Sequence, residues 1–365
     1  MRESNKFRIL HWIIFSGWAT LLALSASGQT LYPYVIEDLG TLGGSTSAAF
    51  AINNFGQVAG AAAIGNDTEF HAFRYADTWG MQDLGTLNSY GHNLSKGYAI
   101  NDKGQVAGWS GTFFDEGYAF RYTDGLGLED LGTPNGWNTE AQGINTSGDV
   151  VGFAYLYGDN YRAWVYTDTD GIQLIPLGAW MSRARAINDA GQITGEIFTY
   201  DVGRAFRYSK SMGLEMLPSP PGDPFVYAAG EDINQLGQVF GDGGGVYETE
   251  VFRFSDDSGS EVLESPPGSL GAYAWGVNNH GDAVATFVIS GKGDRAYLHS
   301  RQRGWRDLND LIPPDTGWVL MNPYAINDKG QIVGYGLHNG VGRAFRMTPN
   351  PNYKGPQPSG PPTKR

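Results

Sequence analysis

Few residues in this chain have the type and spacing that chemistry requires. There is no cysteine among its 365 residues, which excludes a thiol nucleophile, a zinc-thiolate centre and a disulfide framework. Of the six histidines, His11 falls in an N-terminal apolar segment, His71 and His299 stand in aromatic segments, and His280 lies in a repeated turn, leaving His92 and His338. No His-Glu-x-x-His spacing, Gly-x-Ser-x-Gly elbow or phosphate-binding loop is present. Tyr90 and His92 have the types of an acid–base pair for polysaccharide lysis, but a histidine in a polar loop is by default a surface residue. Asp168-Thr169-Asp170-Gly171 looks like a fragment of a calcium loop whose completing glutamate is missing, and a plain Asp/Gly turn explains it equally. Arg185 and Glu231 hold equivalent places in consecutive repeats, as an ion pair or as polar groups offered to a ligand. These patterns give no catalytic residue, no metal site and no cofactor. What remains is a set of residues in polar, dissimilar segments: Tyr90, His92, Phe113, Trp137, Tyr157, Trp180, Tyr200 and Trp318, with Phe114, Tyr155 and Tyr247 beside them. Exposed rings next to Asn and Asp suit a sugar or peptide ligand, because a ring offers flat apolar area at little conformational cost. The alternative is that they fold down as anchors of their own loops.

The segments that must position these residues repeat. One decapeptide occurs seven times, as AINNFGQVAG, AINDKGQVAG, GINTSGDVVG, AINDAGQITG, DINQLGQVFG, GVNNHGDAVA and AINDKGQIVG, with its asparagine at Asn53, Asn101, Asn145, Asn188, Asn234, Asn278 and Asn327. The intervals of 48, 44, 43, 46, 44 and 49 residues match a propeller blade and exceed a β-helix coil. An aromatic segment (HAFRY, YAFRY, RAWVY, RAFRY, EVFRF, RAYLH, RAFRM) and a short one such as MQDLG or LEDLG keep step with it. Each repeat thus holds four strand-length pieces: a before the asparagine, b after its turn, c the aromatic segment and d the DLG segment. The 53 glycines, without a collagen period, together with 20 Tyr, 18 Phe and 10 Trp, fit short aromatic strands joined by many turns. The a-to-b turn reads as a type I turn closed by a residue at positive φ, which accounts for glycine there in every copy from Gly56 to Gly330.

These motifs resemble the bacterial HAF extracellular repeat, whose His-Ala-Phe triplet stands here as His71-Ala72-Phe73. The resemblance spans about residues 35–347, rests on AINDKGQVAG and on DLGTLGG at Asp38 to Gly44, and weakens in the DLG pieces of repeats 4 to 7. It implies an exported repeat protein and brings no catalytic residues with it.

Piece order says how the chain closes. A complete d piece, YVIEDLG at Tyr34 to Gly40, precedes the first decapeptide, and none follows the last c piece, RAFRM at Arg343 to Met347. The expected fold is all-β, a seven-bladed β-propeller of four-stranded antiparallel blades, closed by the N-terminal strand pairing with the last blade. In strand a, small residues such as Ala49 and Ala51 fall on one parity and Ile52 and its equivalents on the other, which suggests a small face meeting a bulky one. The c-strand aromatics, Phe73, Phe120, Trp164, Phe206, Phe252, Tyr297 and Phe345, should be core. In such blades the a-to-b and c-to-d turns share one face, and the longer b-to-c loops and d-to-a crossings share the other.

Arg2, Lys6 and Arg8 precede an apolar run, Ile9 to Leu24, that ends in Ala26-Ser27-Gly28, the layout of a secretory signal peptide over residues 1–28, with a retained signal anchor as the alternative. The propeller should occupy 29–349 and a Pro-rich disordered tail 350–365. The net charge is −13; the N-terminal segment contributes +2 and the tail +3, so residues 29–349 carry −18, which disfavours nucleic acid. The expectation is a secreted or periplasmic monomer without a membrane span after cleavage, a non-catalytic scaffold for carbohydrate or a surface polymer. A propeller polysaccharide lyase or glycoside hydrolase, and an adhesion module binding a cell-surface protein, are the alternatives.

Overall fold

The computed structural model describes residues 31–354 apart from 66, 88–92, 113–116, 135–137, 157–159, 200–201, 221–225 and 246–248. The segment read as a signal peptide lies outside the described residues. The strands assemble into seven four-stranded antiparallel sheets, each formed from pieces a, b, c and d in order. Blade 4 is typical: Met181–Ile187, Ile193–Thr199, Val202–Ser209 and Gly213–Met216. Blade 7 takes a, b and c from Trp318–Ile326, Ile332–His338 and Val341–Pro349, and its outer strand is Tyr34–Asp38 from the other end of the chain. Tyr34 pairs with Pro349 and Asp38 with Phe345, so the last blade is completed by the first strand. Glu37 binds Arg346 at 2.7 Å across this seam, and Asp38 binds His338 at 2.9 Å.

The core is divided into wedges between blades. Val151 and Ala163 of blade 3, for example, pack with Ile193, Ile197 and Phe206 of blade 4. Six of the seven c-strand aromatics are fully buried, from Phe73 to Phe345, each gaining about 1.5–3 kcal/mol from burial. The strand-b residue paired with that ring is the last glycine of the decapeptide: a Cβ on Gly60 would stand 2.6 Å from the Phe73 ring. Blade 6 has Ala285 there, its Tyr297 is only partly buried, and Phe287 occupies the core instead.

Strand a differs from simple alternation. Each of the seven carries a register shift at the residue three before the asparagine, between Ala49 and Ala51 in blade 1 and at the equivalent place in the others. The bulge separates the two small residues that a strict period of two would put on one face. Ala49 is buried between blades, whereas Ala51 lines the central channel with Phe50 and Ile52.

Candidate functional site

The decapeptide end of the channel is organised by its asparagines, which are only 1–5% exposed. Each Asn Nδ2 donates to the backbone oxygen of the asparagine in the next blade, from Asn53 to Asn101 at 2.9 Å and finally from Asn327 back to Asn53 at 2.9 Å, a closed circle of seven bonds. Each Oδ1 accepts the backbone N–H four residues on, which holds the turn, as Gln57 N–H does on Asn53 at 2.9 Å. The turn glycines have φ between +71° and +97°, the left-handed conformation expected of them. A second tie comes from the Arg of the aromatic segment. Arg74, Arg121, Arg207 and Arg346 each donate to the turn-glycine carbonyl of the next blade at 2.8–3.0 Å. They also bind a c-to-d turn aspartate of that blade, namely Asp124, Asp168, Asp256 and Asp77. Asp168, in the fragment that looks like a calcium loop, is therefore held by Arg121 at 2.7 Å. The recurrent polar residues on this face join blades to one another.

The opposite, long-loop face carries a different constellation on blades 3 to 5. Phe153 and Tyr155 in strand b and Tyr161 in strand c of blade 3 lie edge-on to one another, with centroids 5.5 and 6.1 Å apart. Tyr161 meets Phe198 of blade 4 at 6.4 Å, and Phe198 stacks on Tyr227 of blade 5 at 5.7 Å. The arc crosses two blade boundaries. Arg183 lies 3.9 Å from the Tyr161 centroid and 5.1 Å from that of Phe153, a cation–π contact on the inner side of the arc. Its guanidinium is fixed by Glu196, which has no solvent exposure. Glu196 Oε1 accepts from Arg183 at 3.0 Å and from Arg185 at 3.3 Å, and Oε2 accepts the Tyr227 hydroxyl at 2.6 Å. Burial, reinforced by Glu196, raises the Tyr227 phenol well above its ordinary pKa, so it holds its proton. Asp242 is the blade 5 equivalent of Glu196; burial, with Glu231 nearby, pushes its carboxyl up to about 8 against the pull of the Ala274 N–H it accepts at 2.9 Å. Arg185 and Glu231 stand 3.7 Å apart across blades 4 and 5, the neighbouring places read from the sequence.

Of the eight residues singled out in the sequence, Trp180 and Trp318 are described. Trp180 immediately precedes strand a of blade 4 on the long-loop face and is 60% exposed. Trp318 is half-buried, stacked at 4.6 Å and 5° on His338, and packed against the blade 7 core, so it behaves as an anchor of its own strand pair. Tyr90, His92, Phe113, Trp137, Tyr157 and Tyr200 lie outside the described residues. Tyr161, Phe198, Tyr227, Arg183 and Glu196 were not singled out. A signal existed for Glu196: the residue that follows the decapeptide reads Ala61, Trp109, Phe153, Glu196, Asp242, Thr286 and Tyr335, with two acids in adjacent repeats and a third polar residue next. Among the described residues no group of three or more His, Asp and Glu could hold a metal ion, and no helix is long and apolar enough to cross a membrane.

No family model and no curated protein matches the chain. Solved structures do. Virginiamycin B lyase from Staphylococcus aureus aligns with a TM-score of 0.53 at 12% identity, over 86% of this chain and 99% of that one. An oligogalacturonate lyase in complex with manganese gives 0.54 at 11%, over 87% and 97%. The oligogalacturonate lyase from Vibrio parahaemolyticus gives 0.52 at 10%, over 87% and 94%. At such identities the likeness is one of architecture, and it places this chain among the propeller proteins by fold alone.

Proposed function

We propose that this chain is an exported, monomeric, non-catalytic binding scaffold of the HAF-repeat kind, and that its long-loop face takes a carbohydrate or another surface polymer. The observation that carries this reading is the aromatic arc from Tyr155 to Tyr227, whose outer member Tyr155 is 42% exposed and which lies on the same face as Trp180. Rings presented on a rigid sheet scaffold suit the flat apolar faces of sugar units. The polar groups beneath the arc favour binding over catalysis: Glu196 is committed to two arginines and a phenol, and that phenol keeps its proton. No free general base is left at the arc among these residues. Ring closure leaves no unpaired strand between first and last blades to recruit a second copy, which supports the monomer.

A panel of insoluble and immobilised polysaccharides tests the reading with the full chain, with soluble products measured alongside. Retention without new reducing ends or unsaturated sugars is expected. Trp180→Ala and Tyr155→Ala should each weaken retention by about 1–3 kcal/mol at an unchanged melting temperature. Release of unsaturated sugars would identify a lyase instead. Retention indifferent to both substitutions would remove the arc from the account, and binding confined to protein surfaces would favour the adhesion role.

A further inference from the structure

The channel has a layered lining that the long-loop face does not use. At the decapeptide mouth a cavity of about 250 Å³ is ringed by the turn residues, among them Asp102, Asp189 and Asp328, with no lysine or arginine among the described lining residues. These carboxylates accept hydrogen bonds from neutral amides, such as Asn54 N–H on Asp102 at 2.9 Å and Thr146 N–H on Asp189 at 2.8 Å, which hold them in place without cancelling their charge. A collar of five isoleucines, Ile52, Ile100, Ile144, Ile187 and Ile326, follows, and with Asp232 it lines both this cavity and a second one of about 360 Å³ at the waist. The two spaces adjoin through these shared residues. The waist volume is within the range of small-molecule sites, about 300–1,000 Å³.

The waist is lined by the bulged residue of every strand a, and its two sides differ in chemistry. Blades 6, 7, 1 and 2 supply Trp275, Tyr324, Phe50 and Tyr98, an unbroken wall of rings with centroids 4.7, 5.3 and 5.4 Å apart. The Trp275 indole is fixed by donating to Thr286 at 2.9 Å. Facing them, blades 4 and 5 supply Arg185 and Glu231. Arg185 leans toward the buried Glu196, 3.3 Å away, and is farther from Glu231, 3.7 Å away. The Glu231 side chain is 14% exposed and lines the waist. Two acidic residues, Glu231 and Asp232, and one guanidinium, Arg185, line this side of the waist, while the opposite side is closed by aromatic rings set edge-on or tilted to one another; carboxylates and aromatic rings both attract positive charge.

We propose that the waist binds an organic cation with an apolar surround, of the alkylated-ammonium class, its charge shared between the Trp275–Tyr324–Phe50–Tyr98 wall and Glu231. The isoleucine collar disfavours a fully hydrated metal ion, which would have to shed water against aliphatic groups, and it accepts methyl and methylene groups. The acidic mouth concentrates cations at the entrance to it. This site stands apart from the polymer-binding reading of the other face.

Calorimetric titration of the full chain with choline, its neutral tert-butyl isostere and trimethylacetate tests it without any substitution. Choline should bind saturably, the neutral isostere about tenfold more weakly, and the anion not at all. Glu231→Gln and Trp275→Leu should each reduce choline affinity about tenfold, while Trp180→Ala leaves it unchanged. Equal affinity for choline and its isostere would reduce the waist to an apolar cavity, and preference for trimethylacetate would make Arg185 the determinant. Either result, or no saturable binding of choline, overturns the proposal whatever becomes of the polymer site.

Discussion

The asparagine circle makes the sharpest prediction about how the ring holds together, and Asn188 is its best test. This residue is 1% exposed. Its Nδ2 donates to the Asn234 carbonyl at 3.0 Å and to Gln192 Oε1 at 2.8 Å, and its Oδ1 accepts from Ala190 N–H at 3.1 Å and Gln192 N–H at 3.0 Å. Asn188→Ala strands one buried carbonyl and two partly buried N–H groups of the turn. At about 1–3 kcal/mol for each buried group left unsatisfied, with partial relief from water, the cost should be about 3–5 kcal/mol. That is a large part of the ~5–15 kcal/mol that stabilises an ordinary domain. The control is its neighbour Asp189, which accepts Thr146 N–H at 2.8 Å at an exposed position, so Asp189→Ala should cost about 1 kcal/mol or less. Equilibrium urea unfolding followed by tryptophan fluorescence measures both. Asn188→Asp separates the two halves of the role, because it keeps the acceptor and loses the donors. Gln192 is free to turn its amide toward the new carboxylate, but the Asn234 carbonyl is not. The folded-state pKa of that carboxyl should therefore rise above its unfolded value of about 3.9, and stability should fall as pH rises through that window and return on acidification. A cost for Asn188→Ala no greater than for Asp189→Ala would refute the view that the circle joins the blades.

Three further outcomes follow from the structure. Gly104 has φ +76°, and a Cβ there would stand 3.0 Å from Arg74 Nη1, so Gly104→Val should cost on the order of 1–2 kcal/mol from strain alone and more if Arg74 loses the Gly104 carbonyl; a melt indistinguishable from that of the parent would contradict it. Deleting residues 29–41 removes the outer strand of blade 7 with the buried side chains of Tyr34 and Leu39, about 1.5–3 kcal/mol apiece. Deleting 351–365 spares the bond from Asn350 N–H to the Pro33 carbonyl at 2.8 Å, so equal melting temperatures for the two truncations would sink the closure argument. Burial raises Asp232 to about 6 and Asp242 to about 8 from 3.8. The folded chain then holds these protons after the unfolded chain has lost them, and stability should decline as pH climbs from about 4 to about 8. Asp242→Asn, which keeps an acceptor for Ala274 N–H, should flatten that decline and stabilise the protein at pH 9; an unchanged pH profile would show that Asp242 is not the titrating group.

The sequence alone determined the number of blades, their strand order, the turn glycines and the closing strand. Each of these is either a local property or a matter of counting: positive φ belongs to one residue, and a d piece that precedes the first repeat and is missing after the last can pair only across the seam. It also marked Trp180 and Tyr155 as aromatics outside the repeat consensus, and both are exposed. The tertiary structure alone decided the lateral contacts. The asparagine is visible in all seven copies, but its partner lies one blade away, 43–49 residues along the chain, or 274 residues back for Asn327 and Asn53. No local rule joins positions so distant. The strand-a bulge escaped the parity argument because one inserted residue leaves the letters unchanged and reverses which side chains reach the channel. That single backbone irregularity, repeated in every blade, is what brings Phe50, Tyr98, Arg185, Glu231, Trp275 and Tyr324 to one waist. Tyr161, Phe198 and Tyr227 were hidden for a related reason: at the ends of core strands they look like packing residues, and only the angle between neighbouring blades turns their rings toward one another.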